Sequence, residues 1–70
     1  MRGLAKKVQY EIRVRGVLGA SLRGAFPGLT ARDDRGETVL AGWLPDQAAL
    51  HGVLAQIESL SLELIEVRRR

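Results

Sequence analysis

The chain contains no cysteine. A disulfide framework, a cysteine-ligated zinc site and a thiol nucleophile are therefore excluded. It has a single histidine, too few for a multi-histidine metal centre, and its carboxylates are scattered along the chain. Aromatic residues are scarce: one each of Tyr, Phe and Trp. RNA-binding sheets stack bases on aromatic side chains of their central strands, and this chain has little to offer for that. No apolar run approaches the ~20 residues that cross a bilayer. The N-terminal residues lack the apolar core of a signal peptide. No nucleotide-binding fingerprint is present, since the glycines at Gly16 and Gly19 lack the third glycine of a dinucleotide site and the Lys-Ser/Thr of a P-loop. These absences point to a cytoplasmic bacterial protein with no membrane association, no cofactor, no metal and no catalytic residues.

What is present is a 70-residue chain, read as a single domain with a basic lead at 1–7 and a basic tail at 68–70. A domain this short buries only about 60% of the surface its unfolded chain exposes, so self-association is an expected source of stability. The formal charge is +3 and the pI about 10.2. That sum conceals a division. Residues 8–67 hold five basic residues against all eight acids, a net −3, while the two ends carry +6. The basic character belongs to the ends.

Val8-Gln9-Tyr10-Glu11-Ile12-Arg13-Val14-Arg15 alternates apolar and polar without a fault, which predicts a half-buried strand with Val8, Tyr10, Ile12 and Val14 inward. Gly16 ends it. Residues 17–26 read as a short helix, stopped by Pro27-Gly28. Residues 29–32 form a second strand, and Asp33-Asp34-Arg35-Gly36 a hairpin turn. Residues 37–44 make a third strand that is apolar on both faces, Val39/Ala41/Trp43 on one and Thr38/Leu40/Leu44 on the other. Either Pro45 opens the next helix or Asp46 caps it. Leu50, Val53, Leu54 and Ile57 then give its i, i+3, i+4, i+7 stripe. Residues 62–68 are the last strand, whose alternation slips at Leu64-Ile65 and leaves room for a bulge.

The order β-α-β-β-α-β predicts an α+β, ferredoxin-like βαββαβ domain: a four-stranded antiparallel sheet with two helices on one face. The segments Tyr10-Glu11-Ile12-Arg13-Val14-Arg15-Gly16, Thr38-Val39-Leu40-Ala41-Gly42 and Leu44-Pro45-Asp46-Gln47-Ala48-Ala49-Leu50-His51-Gly52-Val53-Leu54 resemble a family of short, uncharacterised actinobacterial proteins. That resemblance covers nearly the whole chain and implies no activity. One fold hosts many functions, so the sites have to speak for themselves.

Several do. With helices on one face only, either Leu40 and Leu44 or Val39 and Trp43 must point outward from the third strand, beside Arg13 and Arg15. Such a face is a candidate interface for a homodimer or for a partner protein. Ala48, Gly52, Ala55 and Ser59 fall on the second helix's far side, either a docking stripe for another helix or simply good helix formers. Lys6, Lys7, Arg68, Arg69 and Arg70 come together in the ferredoxin-like plan, as a basic corner able to meet phosphates or as solvated tails. Binding of nucleic acid through that corner is the alternative role to protein contact. His51, with Glu58 seven residues on, is either a general base in a ligand pocket or an exposed helical histidine. The expected function is a non-enzymatic module that works by self-association and protein contact.

Overall fold

The computed structural model describes residues 8–70. Six elements follow one another: β1 (Val8–Arg15), α1 (Ala20–Arg23), β2 (Leu29–Asp34), β3 (Glu37–Leu44), α2 (Gln47–Ser59) and β4 (Leu64–Arg69). The strands form one antiparallel sheet in the order β2-β3-β1-β4.

The expected ferredoxin-like domain with two helices on one face is not what the chain forms. It is a small α+β fold in which α2 is the one helix of more than a single turn, while α1 spans four residues. The reason lies in the segment's glycines. Gly16, Gly19 and Gly24 surround or interrupt the apolar positions, and Pro27 follows closely. Gly19 occupies the cap position of α1 with no side chain to cap it, and no acid stands in its first turn. A helix begins at an unfavourable nucleus, and four residues recover little of that cost. What packs from this segment is a loop carrying Leu18 and Phe26, both buried, and the half-buried Leu22 and Ala25.

By contrast, α2 is well specified at both ends. Asp46 accepts a hydrogen bond from the Ala49 N–H at 2.8 Å, the usual reach of an N-cap carboxylate to the third helical residue. At the other end Ser61 adopts φ 60°, and the Leu62 N–H donates to Ile57 O while the Ser61 N–H donates to Glu58 O. That pair of bonds is a Schellman closure, here built on serine where glycine is usual.

The alternation in β1 sets the core. Ile12 and Val14 are fully buried and Tyr10 nearly so. The register places Leu40 opposite Ile12, Thr38 opposite Val14 and Gly42 opposite Tyr10, so these β3 residues share the helix-covered face. The undecided question of β3 is thereby answered: Leu40 and Leu44 are core, and Val39 and Trp43 belong to the open face. Ile57 of α2, Leu18 and Phe26 complete the buried cluster. Each such side chain contributes about 1.5–3 kcal/mol on burial. Thr38 is the one polar side chain fully enclosed among the described residues. Its hydroxyl donates to Gly16 O at 2.7 Å and accepts from the Leu18 N–H at 3.3 Å, tying the β1–α1 loop to β3.

The hairpin turn narrows to Arg35-Gly36, both at positive φ (56° and 82°), so β2 runs to Asp34, two residues past its expected end. Such a pair of left-handed residues matches the twist of the strands it joins. At the far edge, Arg13 pairs with Glu66 but Val14 pairs with Leu64. Ile65 is the extra residue of a bulge, where the sequence alternation slips, and β4 begins only at Leu64.

Candidate interaction surfaces

Three surfaces hold the residues singled out by sequence. The first is the open face of the sheet. Arg13 of β1 donates to Asp34 Oδ2 at 2.9 Å and to Glu37 Oε1 at 3.0 Å, bridging three strands. Glu11 lies 3.7 Å from Arg32 and 3.4 Å from Arg70. Arg15 binds Glu63 at 2.9 Å and Arg68 binds Glu66 at 3.2 Å. Register explains this lattice, because charged residues of all four strands share a single face of the sheet. It also explains Val39, which stands between Arg13 and Arg32 and is only 1% exposed. Arginine stems lying along a strand cover an apolar neighbour while their heads stay wet. Trp43, beside Gln9, has no such roof and is 57% exposed.

Hydrogen bonds from Arg13 hold the Asp34 carboxyl below the usual carboxylate range, and bonds to Asp34 and then Glu37 raise Arg13. A carboxyl whose pKa is depressed by folding adds stability that is present above its unfolded pKa, about 3.9, and is lost as pH falls through the folded value. Asp34→Asn is thus expected to lower the urea midpoint at pH 7. The gap from the parent chain narrows as both are titrated into the acid range below pH 4. Parallel curves from neutral to acid pH would refute the assignment.

The second surface is the side of the molecule where α2 meets β4. A groove of about 480 Å³ runs there, lined by His51, Leu54, Ala55, Ile57, Glu58, Leu62 and Leu64. The Schellman turn brings Leu62 into its lining. His51 and Glu58 both border it, yet seven helical residues separate them by about 10 Å along the axis, beyond hydrogen-bonding reach of one another. Beside the groove lies an exposed apolar strip formed by Leu64, Ile65 and Val67, each 38–44% exposed. These three residues were not among the sequence candidates. The signal was the consecutive pair Leu64-Ile65, of which a strand can bury only one per face.

The small residues of α2, Ala48, Gly52, Ala55 and Ser59, lie along one exposed side of the helix. Ala55 lines the groove toward β4, while Gly52 lines a second hollow beside Ala25, Phe26 and Pro27. A Cβ at Gly52 would meet nothing within 4 Å, so no internal contact requires glycine there. Ala48 and Ser59 are exposed.

The third is the meeting place of the ends. Arg70 donates its N–H to Gln9 O at 2.8 Å, so the end of β4 does lie beside the start of β1. The three arginines face different ways, however. Arg68 and Arg70 are ion-paired on the open face, and Arg69, opposite Tyr10, turns to the helix side. Lys6 and Lys7 lie outside the described residues. Three backbone donors near Gly16 and Gly19 are occupied within the chain: the Gly16 N–H by Gly36 O, the Leu18 N–H by Thr38 and the Leu22 N–H by Gly19 O. Among the described residues no three His, Asp or Glu side chains gather as a metal site. No described helix is long and apolar enough to cross a membrane.

No curated protein and no solved structure matches the chain. One family does, a domain of unknown function designated DUF8691, over residues 9–68. That span takes in the sheet from Gln9 of β1 to Arg68 of β4, with α2, the groove and the ion-pair lattice between them. The chain is a member of the DUF8691 family.

Proposed function

We propose that this protein is a non-enzymatic module that works by self-association, and that a second copy docks on the side formed by α2 and β4. The observation that carries this reading is the concentration of exposed apolar residues there. Leu64, Ile65 and Val67 occupy one edge strand beside a groove lined by Leu54, Ile57 and Leu62. The open face of the sheet was the other candidate for this role. Its ion pairs and the roofed Val39 leave Trp43 as its exposed apolar feature, a small patch for a stable interface. Contiguous apolar strips bordered by polar residues mark association sites, and a domain of this size gains from covering one. Phosphate binding through the arginines is the weaker reading, because Arg68 and Arg70 already have acidic partners.

Sedimentation equilibrium from micromolar to millimolar protein tests the proposal. The expected result is a mass that rises from 7.7 kDa toward twice that value. A single 7.7 kDa species across the whole range would overturn it.

A further inference from the structure

The exposed edge of β4 carries its own pairing instructions. The Arg70 N–H bonds Gln9 O, and the Cα partners run Tyr10 with Arg69, Glu11 with Arg68, Ile12 with Val67 and Arg13 with Glu66. In an antiparallel ladder the residues alternate between pairs that exchange both backbone bonds and pairs that exchange none. Counting from Arg70, the peptide groups of Arg68 and Glu66 turn toward β1. Those of Val67 and Arg69 turn away from it, to the open edge. An edge of this kind is a template for another strand.

The two edges of the sheet differ in how they are protected. β2 reads Leu29-Thr30-Ala31-Arg32-Asp33-Asp34, with a charged residue, Asp33, on the helix-covered side opposite Thr38. Inward-pointing charge of that sort blunts an edge. In β4 the corresponding side carries Leu64 and Val67 through the middle of the strand, and its charge, Arg69, comes only at the last position. The bulge at Ile65 disturbs only the beginning of the strand.

We infer that two copies of this chain join by antiparallel pairing of β4 with β4, with Val67 opposite Val67 of the second copy, to make a continuous eight-stranded sheet. The inference rests on the self-association proposed above and names its geometry. Three constraints select the register. A two-fold axis perpendicular to a continuous sheet keeps each face on its own side, so directly opposed residues must belong to the same face. The residues that turn their peptide groups outward must oppose each other, which leaves Val67 and Arg69 as candidates for the bonded positions. Charge then decides among the remaining choices. Centring on Glu66 sets two glutamates against each other, and centring on Arg68 does the same with two arginines. Centring on Val67 sets Glu66 opposite Arg68 of the second copy, twice. Each Glu66 already holds its own Arg68 at 3.2 Å, so the paired edges close a neutral ring of four charges. On the other face the two Val67 side chains meet, and the two α2 grooves come to flank the junction. The occupant of the apolar strip is thus the same strip of a second copy.

The absence of cysteine permits a direct test with Val67→Cys in the full chain. Directly opposed residues at a bonded position have Cα atoms about 5.5 Å apart, within the range a disulfide spans. Mild oxidation is expected to convert Val67→Cys to a covalent dimer, while Trp43→Cys on the open face stays monomeric on denaturing gels. Glu66→Arg and Arg68→Glu are each expected to weaken dimerisation roughly tenfold, because each creates two like-charge oppositions. The double exchange Glu66→Arg with Arg68→Glu restores it. If the parent chain dimerises but Val67→Cys does not cross-link, the edge pairing is wrong and self-association stands. Cross-linking with charge variants that behave like the parent refutes the register. A parent chain that stays monomeric at every concentration overturns both proposals.

Discussion

Replacing Gly42 by alanine is expected to lower the melting temperature by roughly 15 °C. Gly42 stands in β3 on the helix-covered face, opposite Tyr10 of β1 and Leu29 of β2. A Cβ there would collide with the Gly28 carbonyl oxygen and lie 2.9 Å from Leu29 Cδ2. The leucine tip can move. The carbonyl is backbone, held between Pro27 and the start of β2, and its shift would drag the β2–β3 register with it. Overpacking of this kind costs about 1–3 kcal/mol, and a backbone obstacle places the change at the upper end. A 70-residue domain has a total stability of only about 4–10 kcal/mol. At roughly 4–8 °C per kcal/mol for a domain of this size, the loss is readily measured by circular dichroism. Gly52→Ala is the matched control, since its Cβ meets open space and alanine is the better helix former. A Gly42→Ala melting point within about 3 °C of the parent would refute the steric account.

Leu40→Ala should cost about 2–5 kcal/mol, whereas Trp43→Glu three residues away should change stability by less than about 0.5 kcal/mol. Leu40 has no exposed surface and packs with Ile12, Val14 and Ile57. Truncating it deletes three carbon atoms from the middle of the core and leaves a cavity that α2 cannot collapse into without losing its own contacts. Trp43 is more than half exposed on the opposite side of the same strand. Chemical denaturation followed by far-ultraviolet circular dichroism measures both variants without relying on the tryptophan. Equal losses would mean that β3 is covered on both faces.

The contrast between these two residues marks the limit of what the sequence discloses. The alternation of β1 was enough to assign its buried side, because polar and apolar residues take strict turns there. In β3 they do not, and only pairing with β1 decides that Leu40 is inside and Val39 outside. Val39 illustrates why: an apolar residue on the open face becomes buried through the arginines of two neighbouring strands, which no local pattern encodes. The segment before β2 misleads for the opposite reason. Its apolar spacing is helical, but the glycines that punctuate it withhold the caps and the length a helix needs. Of the candidate site, the one legible hint was Leu64-Ile65. Read as a fault in alternation it gives the bulge, and read as surplus apolar surface it gives the exposed edge.

The bond from Arg70 to Gln9 has a consequence for how the chain reaches this state. The β2–β3 hairpin closes over a two-residue turn, whereas Ile12 and Val67, partners across β1 and β4, are 55 residues apart. Closing a loop of that size costs entropy that the hairpin never meets, and it must be spent before the long-range contacts return anything. Sequence separation therefore favours the hairpin as the early local structure and the arrival of β4 beside β1 as the later closure. Until that closure the central strand has one bare side, and the edge that a second copy would use does not yet exist. Under the edge pairing proposed above, assembly of two chains would be conditional on each having finished folding.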